Sequence, residues 1–293
     1  MMNARWFFSS PWRRAWFTVG LVVLVLAGVA IGRRIGVERH RARLMAAQYA
    51  PPPEGMVLVP AGYFLMGSDS PDADPDVGPL REVFLPAFYI DTHEVTNAQF
   101  AEVFPEHIYP EGQDDVPVGA VLKDEAEVYA ETVGKRLPTA AEWEKAARGI
   151  DGRQWPWGNQ FRAECANVSR LDEAQRARLS ERGISCAVRG PRLKTEVGSF
   201  PCGASPCGAL DMAGNVWEWV ADVYRDAVPW WELWTEPIPR GIIRGGAYGY
   251  GPEQCRTWYQ AFEDLQATCN DVGFRCVKEP SMVRSQSAGA LAR

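Results

Sequence analysis

Histidine is scarce in this sequence, and cysteine is absent from its first half. The 293 residues contain three histidines, His40, His93 and His107, and none of them stands in a ligand motif. A non-haem iron site of the three-histidine kind needs three neutral imidazoles, so this scarcity argues against such chemistry. All seven cysteines lie at or beyond Cys165, several at spacings that suit disulfides, which favours an oxidising compartment.

The chain also lacks an excess of basic residues, except at its start. Its formal net charge is −6, while residues 1–43 hold eight arginines and one glutamate, a net of +7. The remaining residues therefore carry −13. An acidic domain argues against nucleic-acid binding, whereas the basic N-terminal segment suits anionic lipid head groups.

A single uncharged apolar run, "WFTVGLVVLVLAGVAIG", covers residues 16–32. As a helix it would be roughly 25 Å long, enough for a slightly short membrane span. Because arginines follow at once instead of a small-residue cleavage site, we interpret it as an uncleaved anchor. Arginines flank both ends, so the positive-inside rule does not decide the orientation. The cysteine usage favours a single-pass protein with an extracytoplasmic domain.

The anchor divides the chain into five segments. A basic N-terminal segment (1–15) precedes the transmembrane anchor (16–32), and a juxtamembrane linker (33–55) ends in the stiff stretch "APPPEG". The soluble domain follows over residues 56–278, and the tail, 279–293, lacks periodicity and is expected to be mobile.

Within the soluble domain, local signals predict strands and short helices. The apolar run "MVLVPAGYFLMGS" is strand-like but is broken by Pro60 and Gly62. The spacing predicts one helix starting at Thr96 or Asn97, and a second in "TAAEWEKAARG", where Thr139 is the N-cap. A polar helix is expected over residues 171–183 and a last strand over 272–277.

Seven phrases occur here in the order found in one family. They are "MVLVPAGYFLMGS", "FYIDTHEVTNAQF", "GKRLPTAAEWEKAARG", "WPWGN", "DMAGNVWEW", "RGGAY" and "GFRC". Together they resemble the formylglycine-generating enzymes, also called sulfatase-modifying factors, over almost the whole soluble part. The resemblance implies a single loop-rich α+β domain of the C-type-lectin-related kind. The family includes copper-dependent cysteine oxidases, histidine-ligated iron enzymes and binding modules, so the resemblance does not fix a reaction.

The copper site that the resemblance implies is incomplete in this sequence. In the copper-dependent members, two cysteines five residues apart and a serine follow a Gly-Gly pair. Here Ala247 stands at the serine position, Tyr250 at the first cysteine and Cys255 at the second. A lone thiolate is a poor ligand set for Cu(I), so copper is not expected unless Cys269 supplies the missing thiolate. The resemblance also implies that Trp217 and Arg256 line the substrate groove.

The phrase "DMAGNVWEW" resembles a calcium loop of the family. By that resemblance, Asp211 and Glu218 supply carboxylates, and Gly214 and Val216 supply backbone carbonyls. Hard oxygen ligands of this kind suit Ca²⁺. The alternative is that Asp211 caps a turn and Glu218 pairs with an arginine.

A second calcium loop is suggested by "CANVS". It would bind through Asn167 and Val168, but no matching aspartate follows downstream. The tryptophans of "VWEWVADVYRDAVPWWELW" divide into two groups. Trp217 and Trp219 are expected in the core, whereas Trp230, Trp231 and Trp234 either pack in the core or line a ligand surface.

The cysteine spacings suggest three disulfides, although connectivity does not follow from spacing alone. Cys202 is close enough in sequence to close on Cys207, and Cys165 can bridge to Cys186 across the polar helix. Cys255 is expected to pair with Cys269 or Cys276.

Two functional hypotheses follow. The first is a membrane-anchored module that retains the fold without oxidase chemistry and binds an unidentified protein or small-molecule ligand. The alternative is a formylglycine-generating oxidoreductase that uses Cys255 to oxidise a substrate cysteine. A second thiol within reach of Cys255 would favour the alternative.

Overall fold

Short strands and helices joined by long loops build the domain. The computed structural model describes residues 49–169, 193–225 and 238–281. The strands in these ranges are β1 (Met56–Val59), β2 (Gly62–Met66), β3 (Arg81–Leu85), β4 (Phe88–Asp91), β5 (Trp217–Tyr224), β6 (Arg240–Arg244), β7 (Gln260–Asp264), β8 (Val272–Phe274) and β9 (Val277–Lys278). The α-helices are α1 (Asn97–Val103), α2 (Lys123–Thr132) and α3 (Ala140–Arg148), and short 3₁₀ turns cover Ala163–Cys165 and Pro201–Gly203.

The strands form three small sheets. One has the order β1-β4-β9, the second pairs β2 with β3, and the third has the order β7-β6-β5-β8. All neighbours are antiparallel except β5 and β8, which run parallel with Trp217 opposite Val272. The parallel pair brings the "WEW" and "GFRC" phrases side by side, although they are far apart in sequence.

The two helix starts expected from sequence are confirmed. Thr96 caps α1 and forms a capping box with Gln99, and Thr139 does the same for α3 with Glu142. A side-chain acceptor at the N-cap satisfies a backbone N–H that has no partner within the helix. Helix α2 had no clear sequence signal and was not predicted.

Aromatic side chains pack among aliphatic ones in the core, and the prediction for the first two tryptophans of the Trp-rich stretch is confirmed. Trp217 and Trp219 are 2% and 0% exposed and pack with Phe274 and Phe100 in one cluster. Trp143 of α3 forms the centre of a second cluster. The side chains of α3 therefore connect two of the sheets to the same interior.

Other expectations are corrected or lie outside the described residues. The single strand predicted over 272–277 is two strands, β8 and β9, which belong to different sheets. Arg275, which lies between the two strands, is fully buried. The described residues belong to one compact unit, which spans 48–293 and has the mixed helix and strand content expected of an α+β domain.

The anchor lies outside this description. None of the helices in the described ranges is long and apolar enough to cross a membrane. The apolar run 16–32, the polar helix 171–183, the three later tryptophans (230, 231 and 234), Cys186 and nearly all of the tail fall outside the described residues.

Candidate functional site

The glycine pair that follows β6 passes directly over Cys255. Gly245 and Gly246 both have positive φ angles, 93° and 75°. A Cβ on Gly246 would lie 2.3 Å from Cys255 Sγ, which is shorter than any real contact. Only glycine adopts this conformation at no steric cost, so the glycine pair lets the backbone pack against the sulfur.

Cys255 is enclosed by apolar side chains. It is 0% exposed and packs with Ala166, Val168 and Ala213. It carries a thiol, as does Cys276, whereas Cys269 is disulfide-bonded. The predicted disulfide from Cys255 to Cys269 or Cys276 is therefore wrong. The burial of Cys255 leaves its thiol without an open approach from solvent.

The two predicted groove residues belong to one line of aromatic rings. The Trp217 ring packs edge-on against Tyr250 at 5.2 Å and lies 6.0 Å from Tyr259. The guanidinium of Arg256 lies over the rings of Trp155 and Trp258, at 5.8 and 5.3 Å. Tyr250 thus places a ring, where the resemblance expected a thiol, at one end of this line.

Arg256 has few hydrogen-bond partners for a mostly buried guanidinium. Its Nε is buried without a partner, and its Nη1 lies 3.8 Å from the carboxylate of Asp72, an exposed residue. A guanidinium in this state has N–H groups available for a carboxylate or another acceptor.

Glu218, which was predicted to be a calcium ligand, is paired with Arg275 in the structure. Glu218 is fully buried, and its Oε2 accepts from Arg275 Nε at 2.7 Å and from Trp143 Nε1 at 2.8 Å. Its Oε1 accepts from Arg275 Nη2 at 2.8 Å. These bonds use three of the roughly four acceptor positions of a carboxylate. Glu218 therefore fits the alternative, pairing with an arginine, and does not fit a calcium ligand.

Asp211 lies at the start of the same loop in a left-handed conformation, with φ 56°. Its Oδ2 accepts from the backbone N–H of Gly198 at 2.6 Å. Burial raises the pKa of Asp211, and the Gly198 hydrogen bond opposes that rise. Asp211 thus ties its loop to the chain at Gly198.

Glu94 joins this charged cluster, and sequence reasoning missed it. It is 2% exposed, and neither of its carboxylate oxygens has a hydrogen-bond partner. Burial raises the pKa of Glu94 well above its usual value, and the charge of Asp211 raises it further. In "DTHEVTN" this acid stands among mostly polar residues, so the local sequence gives no sign that it is buried.

The second predicted calcium loop is held by amide contacts. Asn167 Nδ2 donates to Leu193 O at 2.9 Å and to Asn215 Oδ1 at 3.2 Å, while its Oδ1 is buried without a partner. Val168 packs in the apolar cluster around Cys255. Within the three described ranges, no group of three or more His, Cys, Asp and Glu side chains is arranged to hold a metal ion.

The disulfide framework differs from the predicted pairing. Cys165 is bonded to Cys202, and Cys207 carries a thiol. The expected pairs Cys165–Cys186 and Cys202–Cys207 are therefore wrong. The two 3₁₀ turns bring Cys165 and Cys202 together, whereas Cys207 Sγ lies 3.4 Å from the Ala146 carbonyl.

A cavity of about 350 Å³ lies beside Glu94. Its wall includes the ion pair of Lys135 with Asp91, which spans 2.7 Å, and the rings of His93 and Tyr129. Burial lowers the pKa of His93, and the positive charge of Arg275 lowers it further. The cavity has a polar and mainly acidic wall.

Known proteins share both the sequence pattern and the architecture. The family described as "Sulfatase-modifying factor enzyme 1-like domain" matches residues 41–280. The chain belongs to this sulfatase-modifying factor family. The formylglycine-generating enzyme of Thermomonospora curvata is 30% identical over 306 residues, which cover 78% of this chain and 94% of that protein.

A relative named as a formylglycine-generating enzyme and one named as inactive have nearly the same sequence identity to this family member. The inactive C-alpha-formylglycine-generating enzyme 2 of Mus musculus is 28% identical over 280 residues, covering 75% of this chain and 84% of its own. PvdO from Pseudomonas aeruginosa has the same fold, with a TM-score of 0.59 at 25% identity over 76% of this chain and 94% of that one. Overall identity therefore does not decide whether this sulfatase-modifying factor relative is an oxidase.

The resemblance to copper-dependent members places Tyr250, and not a second cysteine, five residues before Cys255. Two soft thiolates are the ligand set that Cu(I) prefers. In the family pattern, the position of the second thiolate corresponds to Tyr250. Cys269 cannot replace the missing thiolate because it is already in a disulfide. No step of a copper reaction follows from these residues.

Proposed function

We propose that the protein is a membrane-anchored member of the family that retains the fold without copper-dependent oxidase chemistry and acts as a binding module. One observation carries this proposal: Cys255 is the only thiol at the family's copper position, and it is packed among apolar side chains. Tyr250 and Ala247 replace the other thiol and the serine. The groups that would hold the metal and orient a substrate thiol are thus missing together.

The relatives are compatible with a family member that has lost oxidase activity. A family that contains a protein named as inactive in mouse and another in cattle tolerates loss of the reaction. The C-type-lectin-related architecture expected from the resemblance is compatible with a binding role, because exposed loops on a rigid scaffold commonly carry recognition.

The ligand surface in this proposal is the aromatic line that ends at Arg256. Rigid rings supply contact area at little conformational cost, and the partly exposed Arg256 guanidinium has its nearest carboxylate, that of Asp72, 3.8 Å away. A peptide or small molecule that offers a carboxylate beside an apolar group matches this chemistry. Tyr250 and Tyr259, which are partly exposed, supply the apolar part of the contact, and the buried Trp217 ring supports Tyr250 from within the core.

The membrane anchor over 16–32 and the extracytoplasmic placement remain part of the proposal. The Cys165–Cys202 disulfide supports an oxidising compartment, since such bonds persist outside the reducing cytosol. An anchored binding module would hold its ligand near the lipid surface. Alkaline extraction of membranes tests the anchor, because an integral segment stays in the membrane fraction.

Copper binding tests the central claim. The wild-type protein and the Tyr250→Cys variant are titrated with Cu(I) against a competing chelator. The variant is expected to gain tight binding near one ion per chain, because it restores a thiol pair at the family's spacing. Ala247→Ser is the matched control, since it restores the serine without a second thiol.

Activity provides the decisive outcome. Copper-loaded wild type is expected to leave a cysteine-containing sulfatase-type peptide unchanged, as measured by mass spectrometry. Oxidation of that peptide by wild type, together with loss of oxidation in Cys255→Ser, would establish the oxidoreductase alternative.

A further inference from the structure

The loop between β2 and β3 carries a run of acidic residues. It covers residues 67–80 and contains the stretch "DSPDADPD", in which Asp72, Asp74 and Asp76 stand at every second position. All three are exposed. Like charges so close together repel one another, and a nearby guanidinium relieves that repulsion.

The base of this loop is held by α3. The backbone N–H of Gly67 donates to Glu144 Oε1 at 2.7 Å, and Arg148 Nη1 donates to the Gly67 carbonyl at 2.7 Å. At the neck of the loop, the backbone N–H of Leu80 donates to Asp69 Oδ1 at 2.9 Å. The acidic run therefore projects from a fixed base.

Beyond that base, the loop reaches the end of the aromatic line at Arg256. Asp72 Oδ2 lies 3.8 Å from Arg256 Nη1. Burial raises the pKa of Tyr259, and the negative charge of Asp74 raises it further. Two of the three acidic residues thus face side chains that the proposed function assigns to the ligand surface.

The third acidic residue contacts the strand that follows the aromatic line. Gln260 Nε2 donates to the Asp76 carbonyl at 3.1 Å, and Tyr224 Oη donates to Asp76 Oδ1 at 3.5 Å. The contacts at Arg256, Tyr259 and Gln260 follow one another in the same order along the loop and along the chain. The loop therefore lies against this surface as a bound peptide would.

The contact at Arg256 is rigid on one side and replaceable on the other. The Arg256 side chain is 15% exposed, and its guanidinium lies over the rings of Trp155 and Trp258. The Asp72 side chain is 71% exposed. Ion pairs with an exposed partner contribute little to stability, so another carboxylate can take the place of Asp72.

We propose that the ligand surface takes an acidic peptide segment and that the loop 67–80 is a built-in competitor for it, with Asp72 holding the place of a ligand carboxylate at Arg256. This inference rests on the proposed function and names its ligand class. The loop itself is the pattern for the ligand, with carboxylates at every second residue. A carboxylate that pairs with the guanidinium through two hydrogen bonds binds more strongly than one at 3.8 Å, so the ligand displaces the loop.

The experiment uses the full-length protein in detergent and a fluorescently labelled, amidated peptide, Phe-Asp-Ala-Asp. Fluorescence anisotropy gives its dissociation constant, and Phe-Asn-Ala-Asn is the control peptide of the same size without carboxylates. Wild type is expected to bind the acidic peptide more tightly than the control peptide. Asp72→Asn is expected to bind the acidic peptide about two- to fivefold more tightly than wild type, because it removes an exposed ion contact.

Two further variants separate this contact from general charge. Asp74→Asn removes the same charge from the same loop, beside Tyr259, and is expected to tighten binding less than Asp72→Asn does. Arg256→Gln is expected to bind both peptides alike, with or without Asp72→Asn. Hydrogen exchange of wild type needs no variant: the amides of residues 72–76 should exchange faster when the acidic peptide binds, because a displaced loop loses its contacts.

Each of four results would overturn the proposal. If wild type prefers the acidic peptide through Arg256 but Asp72→Asn binds it no more tightly, the loop is not a competitor, and the proposed binding role stands. If Asp74→Asn tightens binding as much as Asp72→Asn, general repulsion explains the effect. Unchanged exchange of the loop in peptide-bound wild type would mean that the peptide does not displace it. If neither wild type nor Asp72→Asn prefers the acidic peptide, the ligand class is wrong, and the Cu(I) titration still decides the proposed loss of copper chemistry.

Discussion

The loop from Asp211 to Glu218 contributes to two buried clusters of opposite character. Ala213 packs beside Cys255 in a cluster of small apolar side chains. Asp211, in the loop before β5, and Glu218, the second residue of β5, belong to the charged cluster of Arg275. One cluster is held by packing around a sulfur, and the other by directed hydrogen bonds between charges.

The two clusters differ in how much of the chain they hold together. The charged cluster connects β5 to the loop after β4 and to the stretch between β8 and β9, so it ties together distant parts of the chain. The Cys255 cluster joins the loop after β6 to the neighbouring loop near Ala166 and to Ala213, in the loop before β5. A chain can therefore lose a catalytic thiol pair in the Cys255 cluster while the charged cluster of Arg275 still holds the fold together.

The largest effect is expected from removing the guanidinium of the charged cluster. Arg275→Met leaves the buried carboxylates without their cation, and breaking such a pair costs about 3–5 kcal/mol of unfolding free energy. Urea denaturation followed by tryptophan fluorescence measures the loss. The control is Glu279→Ala, which removes the exposed pair with Arg136 and should cost about 0–1 kcal/mol. Similar losses in both variants would contradict the importance of the charged cluster.

A substitution at Gly246 tests the packing of the apolar cluster. Gly246→Ala forces a Cβ to 2.3 Å from Cys255 Sγ at a φ of 75°. Gly55→Ala is matched, because its φ is 74° and nothing lies within 4 Å of the added Cβ. Both variants pay about 1–2 kcal/mol for the left-handed backbone, and only Gly246→Ala adds about 1–3 kcal/mol of overpacking.

The double variant Gly246→Ala, Cys255→Ala sharpens this test. Removing the sulfur should relieve the clash, so the two changes should couple favourably in a double-mutant cycle. Chemical denaturation of the four proteins gives the coupling energy. Strict additivity would mean that the glycine and the sulfur do not touch in solution.

Local features of the fold could be predicted from sequence, whereas pairings across the chain could not. The caps at Thr96 and Thr139 depend on residues three positions apart, so the sequence contains the whole signal. The bond from Cys165 to Cys202 spans 37 residues and depends on how two 3₁₀ turns meet. Spacing alone favoured shorter loops and chose the wrong partners.

In the candidate site, too, features set by local sequence could be predicted and contacts between distant residues could not. The resemblance to the family pattern is what assigns Tyr250 to the position of a thiol, and that assignment needs only the sequence. The pair of Glu218 with Arg275 and the unpartnered Glu94 depend on β5 and β8 running side by side. Since that parallel pairing is decided by tertiary packing, the acid of "DTHEVTN" could not be assigned to the cluster beforehand.

The smallest effect is expected at the sulfur itself. Cys255→Ser replaces a weakly polar thiol by a hydroxyl among Ala166, Val168 and Ala213. A hydroxyl in apolar surroundings costs about 1–3 kcal/mol in protein hosts. The unfolding free energy should fall by that amount if the residue is a core side chain, as the proposed function requires.

Cys207 provides the matched comparison for that last substitution. Its sulfur lies 3.2 Å from Ser205 Oγ and 3.4 Å from the Ala146 carbonyl, so a hydroxyl there keeps polar partners and Cys207→Ser should be nearly neutral. If Cys255→Ser also leaves the free energy of unfolding unchanged, the surroundings of Cys255 are polar or solvated. Such surroundings are what an accessible catalytic thiol needs, because the thiolate is the reactive form and burial among apolar groups disfavours it. The difference in unfolding free energy between Cys255→Ser and Cys207→Ser therefore reports how apolar the surroundings of Cys255 are, and apolar surroundings disfavour a reactive thiolate.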